Sequence, residues 1–283
     1  MPETAPALPA YRPHDFGWGP VEARRYALAV GAPSDPLDRR DLRLVMGEEP
    51  QVLPTFAALL ADSHSLRYVP LPGLDYDPLH VIYAGHELVL PGPLPSRIRG
   101  VTTSAVLEVG DVSSGVMVRR ESVSRDAVGA EVARNVVTSI IRGRVSGTPA
   151  MRTAAPAEVE PVFEIEVPTS PRQAVVYSQT GDDNPLHWDP AAAAANGFER
   201  PILHGLCSYG MVVHALLRDL TERRWDALRR VAVRFTAPVV PGDVMRVRGA
   251  RTGDLVRFSA SVRAEDGVER LVLARGELEL GAA

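Results

Sequence analysis

The stretch Tyr177–Gly210, YSQTGDDNPLHWDPAAAAANGFERPILHGLCSYG, sets a carboxylate, an imidazole and a glycine-started helix close together in the chain. Gly181-Asp182 and Asn184-Pro185 are turn-forming pairs, so Asp182 and His187 are predicted on a tight loop, five residues apart, where both side chains can converge. A carboxylate beside an imidazole can hold a water and move its protons near neutral pH, so one water is the expected reactant. Downstream, the run from Leu206 to Leu220 is apolar almost all round, the pattern of a buried helix. Its first-turn N–H groups lack partners within the helix, the dipole is positive there, and glycine lets a carbonyl approach the backbone. The Gly205 amide is therefore a candidate oxyanion donor. Each piece also has an ordinary reading, Asp183-Asn184-Pro185 as a turn and a histidine near a helix as packing.

Around these residues the C-terminal half reads as motif loop, buried helix at 204–220, and four strand-like runs near 228–238, 243–251, 254–264 and 269–280, separated by Pro-Gly, Thr-Gly and Asp-Gly turns. The N-terminal half repeats that order. Tyr26–Asp38 loosely echoes Tyr177–His187, Val52–Ala61 reads as a helix with Pro54 in its first turn, and strand-like runs follow near 80–90, 98–110, 114–126 and 130–142. Residues 143–161, rich in Ala, Pro and small polar residues, read as a linker between repeats 1–142 and 162–283. An apolar helix followed by an antiparallel meander suggests a sheet curled around a central helix, an α+β arrangement.

Composition prunes the chemistry. The chain has 283 residues, 45% hydrophobic and 23% charged, a globular balance, and net charge −4 with scattered arginines gives no basic face for nucleic acid. All 31 basic residues other than histidine are arginine, which excludes Schiff-base chemistry, pyridoxal phosphate and a Walker A loop. The lone Cys207 rules out CxxC zinc sites and suits a reducing compartment; the 7 histidines show no metal-ligand spacing, and His86-Glu87 lacks a second histidine. No metal and no bound cofactor are expected. With no apolar h-region at the start and no long apolar run, neither a signal peptide nor a membrane span is expected, and the expected location is cytoplasmic.

Residues 177–210 resemble the signature of the MaoC-like dehydratases, in particular the type-2, (R)-specific enoyl-CoA hydratases. The resemblance rests on Tyr177, Gly181-Asp182, Asn184-Pro185-Leu186-His187, Asp189-Pro190, Gly197-Phe198 and Pro201-Ile202-Leu203-His204-Gly205-Leu206-Cys207, with Arg234-Phe235-Thr236, Pro238-Val239 and Pro241-Gly242-Asp243 further on. It implies a double hot-dog fold, with Asp182 and His187 as the catalytic pair, Asn184 supporting the loop and Gly205 binding the thioester oxygen. It also implies a reversible hydration of a trans-2-enoyl thioester to the (R)-3-hydroxyacyl product. Coenzyme A enters as part of the substrate and not as a cofactor, and a homodimer is the assembly such a fold allows. The catalytic C-terminal repeat would be supported by an N-terminal repeat that shapes the acyl pocket and carries Ala32 and Asp38 where the pair would stand. Two further enzyme and non-enzyme readings stand beside this one: a dehydratase on a carrier-protein thioester, and an acyl-CoA-binding hot-dog subunit without turnover.

Arg200 and Arg234 are candidates for the phosphates of coenzyme A, because the guanidinium fork matches phosphate oxygens, with a solvated surface charge as the ordinary reading of each. Tyr177 is a candidate pocket residue, with packing as the alternative. Asp183 reads as a solvated turn residue, His204 as an anchor of the helix start, and His214 as a satisfied core polar group. The relatives carry a Leu-His-Gly-Glu-Gln-like strand before Pro-Leu-Pro; here Tyr83-Ala84-Gly85-His86-Glu87 precedes Pro93-Leu94-Pro95, and Ala84 replaces the expected histidine. That departure leaves room for a specialised acyl group.

Overall fold

The structure is a computed structural model that describes residues 11–61, 75–77, 80–144, 146–147, 160–263 and 267–281. Ten antiparallel strands form one sheet in the order β1-β3-β4-β5-β2-β7-β10-β9-β8-β6. They are β1 (His14–Trp18), β2 (Val81–Val89), β3 (Ile98–Val112), β4 (Gly115–Asp126), β5 (Glu131–Arg142), β6 (Phe163–Pro168), β7 (Leu228–Phe235), β8 (Val244–Thr252), β9 (Leu255–Arg263) and β10 (Glu269–Leu280). Counted within each half, both sets of five have the same order, first-third-fourth-fifth-second, so the duplication seen in the sequence is a duplication of topology. The halves meet at their second strands, with Gly85 opposite Arg234 and Val89 opposite Arg230.

Alternation along the strands separates two faces. In the C-terminal half the inner face carries Val231, Val233, Met245, Val247, Phe258, Ala260 and Val262, all buried, and the helix Gly205–Leu220 lies against it. Every residue of that helix from Cys207 to Leu217 is buried, as expected of a helix apolar all round. Outside, arginines and glutamates pair across strands, for example Arg230 with Glu87 at 2.6 Å and Arg134 with Glu121 at 2.7 Å. These are half-exposed pairs that keep the face soluble and add little stability.

A second layer comes from helices Pro20–Ala29 and Gln173–Ser178, each following the first strand of its half. Gly210 permits close approach of the first of these to the central helix: a Cβ there would lie 2.7 Å from both the Tyr26 hydroxyl and Val30 Cγ1. The Tyr26 and Tyr177 rings meet edge to face at 6.3 Å, and Gln173 Nε2 donates to the Ala29 carbonyl at 2.6 Å. The echo between Tyr26–Asp38 and Tyr177–His187 thus begins in the last turns of two equivalent helices packed across the junction.

The N-terminal half departs from the expected central α-helix. Pro54–Ala61 is a 3₁₀ helix of 8 residues. A sheet side chain takes a carbonyl that an α-helix would keep, as Asn135 Nδ2 donates to Ala57 O at 3.1 Å, while Ser122 Oγ reaches the terminal Ala61 carbonyl at 3.5 Å. Four short elements had no periodic signal to announce them, namely β1, β6 and the two helices of the second layer. Of the linker 143–161, only 143–144, 146–147 and 160–161 lie within the described residues. No helix among the described residues is long and apolar enough to cross a membrane.

Candidate active site

Asp182 and His187 sit on the loop between helices Gln173–Ser178 and Pro190–Ala195. Gly181 takes φ +115°, a left-handed value that lets the chain turn sharply into Asp182. Asp182 Oδ1 accepts from the Asn184 backbone N–H at 3.3 Å, and Asn184 Oδ1 accepts from the Leu186 N–H at 3.1 Å, capping the single turn Pro185–His187. Asn184 therefore spends its side-chain oxygen on holding the loop. Asp189 caps the next helix through the Ala191 N–H at 2.8 Å.

His187 Nδ1 lies 2.9 Å from the Ile202 carbonyl oxygen. A carbonyl can only accept, so Nδ1 carries the proton, which in the neutral ring leaves the lone pair on Nε2. Ile202 comes from the segment that leads into the central helix, so one contact both orients the imidazole and ties the loop to the helix start. At the N-cap, His204 Nε2 donates to the Asp182 carbonyl at 3.1 Å, which anchors the helix start to the same loop. Its ring stacks on His187 with centroids 3.7 Å apart and meets Tyr177 at 4.8 Å. Burial first, and the neighbouring His187 second, push the His204 pKa down to about 4, so it is neutral at physiological pH.

One ligand atom each from Asp182, His187 and His204 lies within 4.8 Å of the others, a grouping that sequence spacing did not reveal. Two hydrogen bonds of about 2.8 Å meeting at one water span about 4.5 Å, so the cluster fits a bridging water. Its fit to a metal ion is poor, because imidazole lone pairs lie in the ring plane and two stacked rings aim them side by side.

The Gly205 amide occupies the first turn of the central helix, where no intrahelical acceptor exists. A Cβ at Gly205 would meet the Phe235 ring at 3.3 Å, so glycine keeps the backbone open beside an aromatic wall. Phe235 in turn meets the Tyr83 ring edge to face at 5.4 Å. Tyr83 belongs to a polar chain that the sequence reading did not find. Its hydroxyl lies 2.5 Å from His86 Nδ1, His86 Nε2 donates to Asn135 Oδ1 at 2.9 Å, and Asn135 continues to the Ala57 carbonyl. Burial lowers the His86 pKa to about 4, so this histidine is a neutral bridge. The β-bulge between Tyr83 and Gly85 turns both Tyr83 and His86 inward, and no local pattern signals a bulge.

The remaining candidates divide. Tyr177 is fully buried with no hydrogen-bond partner for its hydroxyl among the described residues, and it packs on Tyr26 and His204. Arg200 is exposed on the segment leading to Ile202. Arg234 is not gathered with the others: Val233 and Phe235 face the helix, so Arg234 points out from the opposite face of the sheet. His214 is buried but its Nε2 has no partner among the described residues, which corrects the expectation of a satisfied core group. Asp38, at the position echoing His187, caps helix Arg39–Leu42 and pairs with Arg223 at 3.2 Å, while Ala32 supplies no acid. Asp183 is exposed, and its carbonyl accepts from Trp188 Nε1 at 2.9 Å. A groove of about 190 Å³ lined by Trp18, Phe56, Leu59, Leu60 and Thr180 opens two residues from Asp182. A larger depression of about 490 Å³ lies at the other end of the central helix among Arg40, Arg218, Asp219, Glu222 and Arg223.

Comparison with known proteins bears on this geometry. Residues 16–143 match the family described as MFE-2 hydratase 2 N-terminal domain, and residues 152–271 match the MaoC like domain. The enoyl-CoA hydratase ChsH3 of Mycobacterium tuberculosis is 32% identical over 94% of this chain and 94% of its own. The chain belongs to the MaoC-like, hydratase 2 family. The peroxisomal multifunctional enzyme type 2 of Drosophila melanogaster is 30% identical over 90% of this chain, which spans 44% of that enzyme. Among solved structures, a MaoC-like dehydratase from Phytophthora capsici superposes with a TM-score of 0.83 at 26% identity, covering 96% of this chain and 95% of the other. The family's double hot-dog, of α+β class, is the architecture described above.

Proposed function

We infer that this protein is an (R)-specific enoyl-CoA hydratase, adding water across a trans-2-enoyl thioester or removing it in reverse. The observation that carries the reading is the convergence of Asp182 and His187 within a water's span at the start of the helix that opens with Gly205. The name of the mycobacterial relative, matched over 94% of both chains, supports the substrate class.

In this reading Asp182 and His187 hold the water, with His187 Nε2 basic because Nδ1–H donates to Ile202. The water oxygen attacks C3 as one proton passes to the pair, C2 gains a proton from the same face, and the Gly205 N–H receives the charge developing on the thioester oxygen. Net addition of one water returns the pair to its starting state. Asn184 is a positioning residue, Tyr83 lines the pocket beside Phe235, Tyr177 packs behind His204, and Arg200 meets the coenzyme A phosphates; Arg234, on the outer face, is left out of that role. Coenzyme A is part of the substrate and no resident cofactor takes part. The N-terminal repeat shapes the acyl pocket, the C-terminal repeat holds the chemistry, and the assembly is a cytoplasmic homodimer.

The test is incubation with crotonyl-CoA and a longer trans-2-enoyl-CoA, following loss of the conjugated thioester absorbance. Turnover of either supports the reading. Folded protein that binds both and hydrates neither, alone or on a carrier protein, would make it a binding subunit.

A further inference from the structure

The two inner faces of the sheet are built from different chemistry. Under the central helix the C-terminal half is apolar, whereas the N-terminal half carries buried polar side chains beneath its short 3₁₀ helix. Most are mutually satisfied: Thr102 Oγ1 lies 2.8 Å from Ser124 Oγ, and Ser104 Oγ lies 2.8 Å from Ser122 Oγ. Arg120 on β4 is the exception. It is 2% exposed, and its guanidinium donates through Nε to the Tyr11 hydroxyl at 3.0 Å and through Nη1 to Ser139 Oγ at 3.4 Å. The Tyr76 hydroxyl is a third neutral partner. Among the described residues Nη2 has no partner and no carboxylate forms an ion pair with Arg120.

A buried cation whose partners among the described residues are all hydroxyls has no charge there to compensate it, because hydroxyls satisfy donors without supplying an anion. Such a group is costly unless a ligand completes it. Its place in the sheet says which part of a ligand that is. Phe235 lies beside the Gly205 backbone, Tyr83 packs on Phe235, Ser139 is the register partner of Tyr83 on β5, and Arg120 donates to Ser139 from β4. In the register Arg120 and His86 both oppose Val137, so Arg120 stands two strand spacings, about 10 Å, from His86, whose Nδ1 meets the Tyr83 hydroxyl, along the inner face and away from the reacting carbons.

We propose that Arg120 receives a carboxylate at the far end of the acyl chain, so that the preferred substrates are ω-carboxy enoyl thioesters. The proposal rests on the hydratase reading, with the thioester carbonyl at Gly205 and the acyl chain running under the 3₁₀ helix. The planar fork of Arg120, with Nη2 still to be paired, suits a carboxylate oxygen, and the Tyr11, Tyr76 and Ser139 hydroxyls hold the guanidinium in place.

The experiment titrates the full-length protein, by calorimetry, with octanoyl-, decanoyl- and dodecanoyl-CoA and with their ω-carboxy and ω-hydroxy counterparts. These saturated thioesters cannot be hydrated, so binding is read apart from turnover. At one chain length or more the ω-carboxy compound is expected to bind at least about tenfold more tightly than the plain one, the scale of a charge-assisted hydrogen bond. Arg120→Met should abolish that preference and Arg120→Lys should retain part of it. Equal or weaker binding of the ω-carboxy compounds at every length overturns the proposal, and so does an ω-hydroxy compound that binds as well. The wild-type comparison decides even if Arg120→Met fails to fold. Plain acyl-CoA binding and enoyl-CoA hydration without any ω-carboxy preference would remove the role of Arg120 alone; absence of all binding and hydration would remove the hydratase reading with it.

Discussion

Asp182→Asn is the cleanest perturbation of the candidate site, because the structure says what it spares. Asp182 Oδ1 accepts from the Asn184 N–H at 3.3 Å, and an asparagine oxygen can accept the same bond, so the loop keeps its turn. The backbone carbonyl that receives His204 Nε2 at 3.1 Å is untouched. The residue is only partly buried, so exchange of carboxylate for amide should change stability by less than about 1 kcal/mol, the net worth of one hydrogen bond. What it removes is the capacity to hold and exchange a proton on the water. Loss of a general acid–base group lowers turnover roughly 10²–10⁴-fold, or about 3–5 kcal/mol of transition-state stabilisation. The assay follows enoyl-CoA absorbance under saturating substrate, with circular dichroism and a thermal melt on the same preparation. The expected result is a kcat lowered at least about 10²-fold, with KM and melting temperature nearly unchanged. A kcat within tenfold of wild type, with folding intact, would remove Asp182 from the mechanism. A large drop in melting temperature would instead show that the carboxylate is structural.

His187→Ala should lower kcat by at least about 10²-fold while losing roughly 1 kcal/mol of stability with the Ile202 bond; normal turnover in a folded variant would count against the pair. Hydration should yield the (R)-3-hydroxyacyl thioester, and chiral chromatography returning the (S) product would sink the proposed facial selectivity. Ala84 is 7% exposed, so Ala84→His should overpack β2 and cost about 1–3 kcal/mol, read as a lower melting temperature; an unchanged melt would mean the site has spare volume. His86, His204 and His214 each have a folded pKa of about 4 against an ordinary 6.5. The unfolded chain therefore binds protons first, and stability should fall as pH drops from about 6.5 toward 4. His214→Leu removes one such group together with its unpaired Nε2, and should flatten that acid limb in melts taken across pH; an unaltered slope would contradict the assignment.

By itself the sequence determined the duplicated meander and placed the candidate acid–base residues on one loop. Its strands near 80–90, 98–110, 114–126 and 130–142, and their counterparts after 228, lie within a few residues of those in the structure, because alternating burial and Gly-containing turns are written locally. The central helix was legible from its apolar surface, and the convergence of Asp182 with His187 near the helix that opens at Gly205 from residue type and spacing. The tertiary structure alone decided what depends on contacts between distant segments. The Ile202 carbonyl that fixes the His187 tautomer, the stacking of His204 on His187, and the inward turn of Tyr83 and His86 at a bulge all arise where separate elements meet. The shortened helix of the first repeat belongs to the same class, since its carbonyls are claimed by Asn135 and Ser122 from the sheet. Arg234 left the site for a related reason: strand alternation assigns it a face, but only the register against β2 and the helix packed on Phe235 say which face looks inward. Local periodicity is set by nearest neighbours along the chain, and a site is set by neighbours across it.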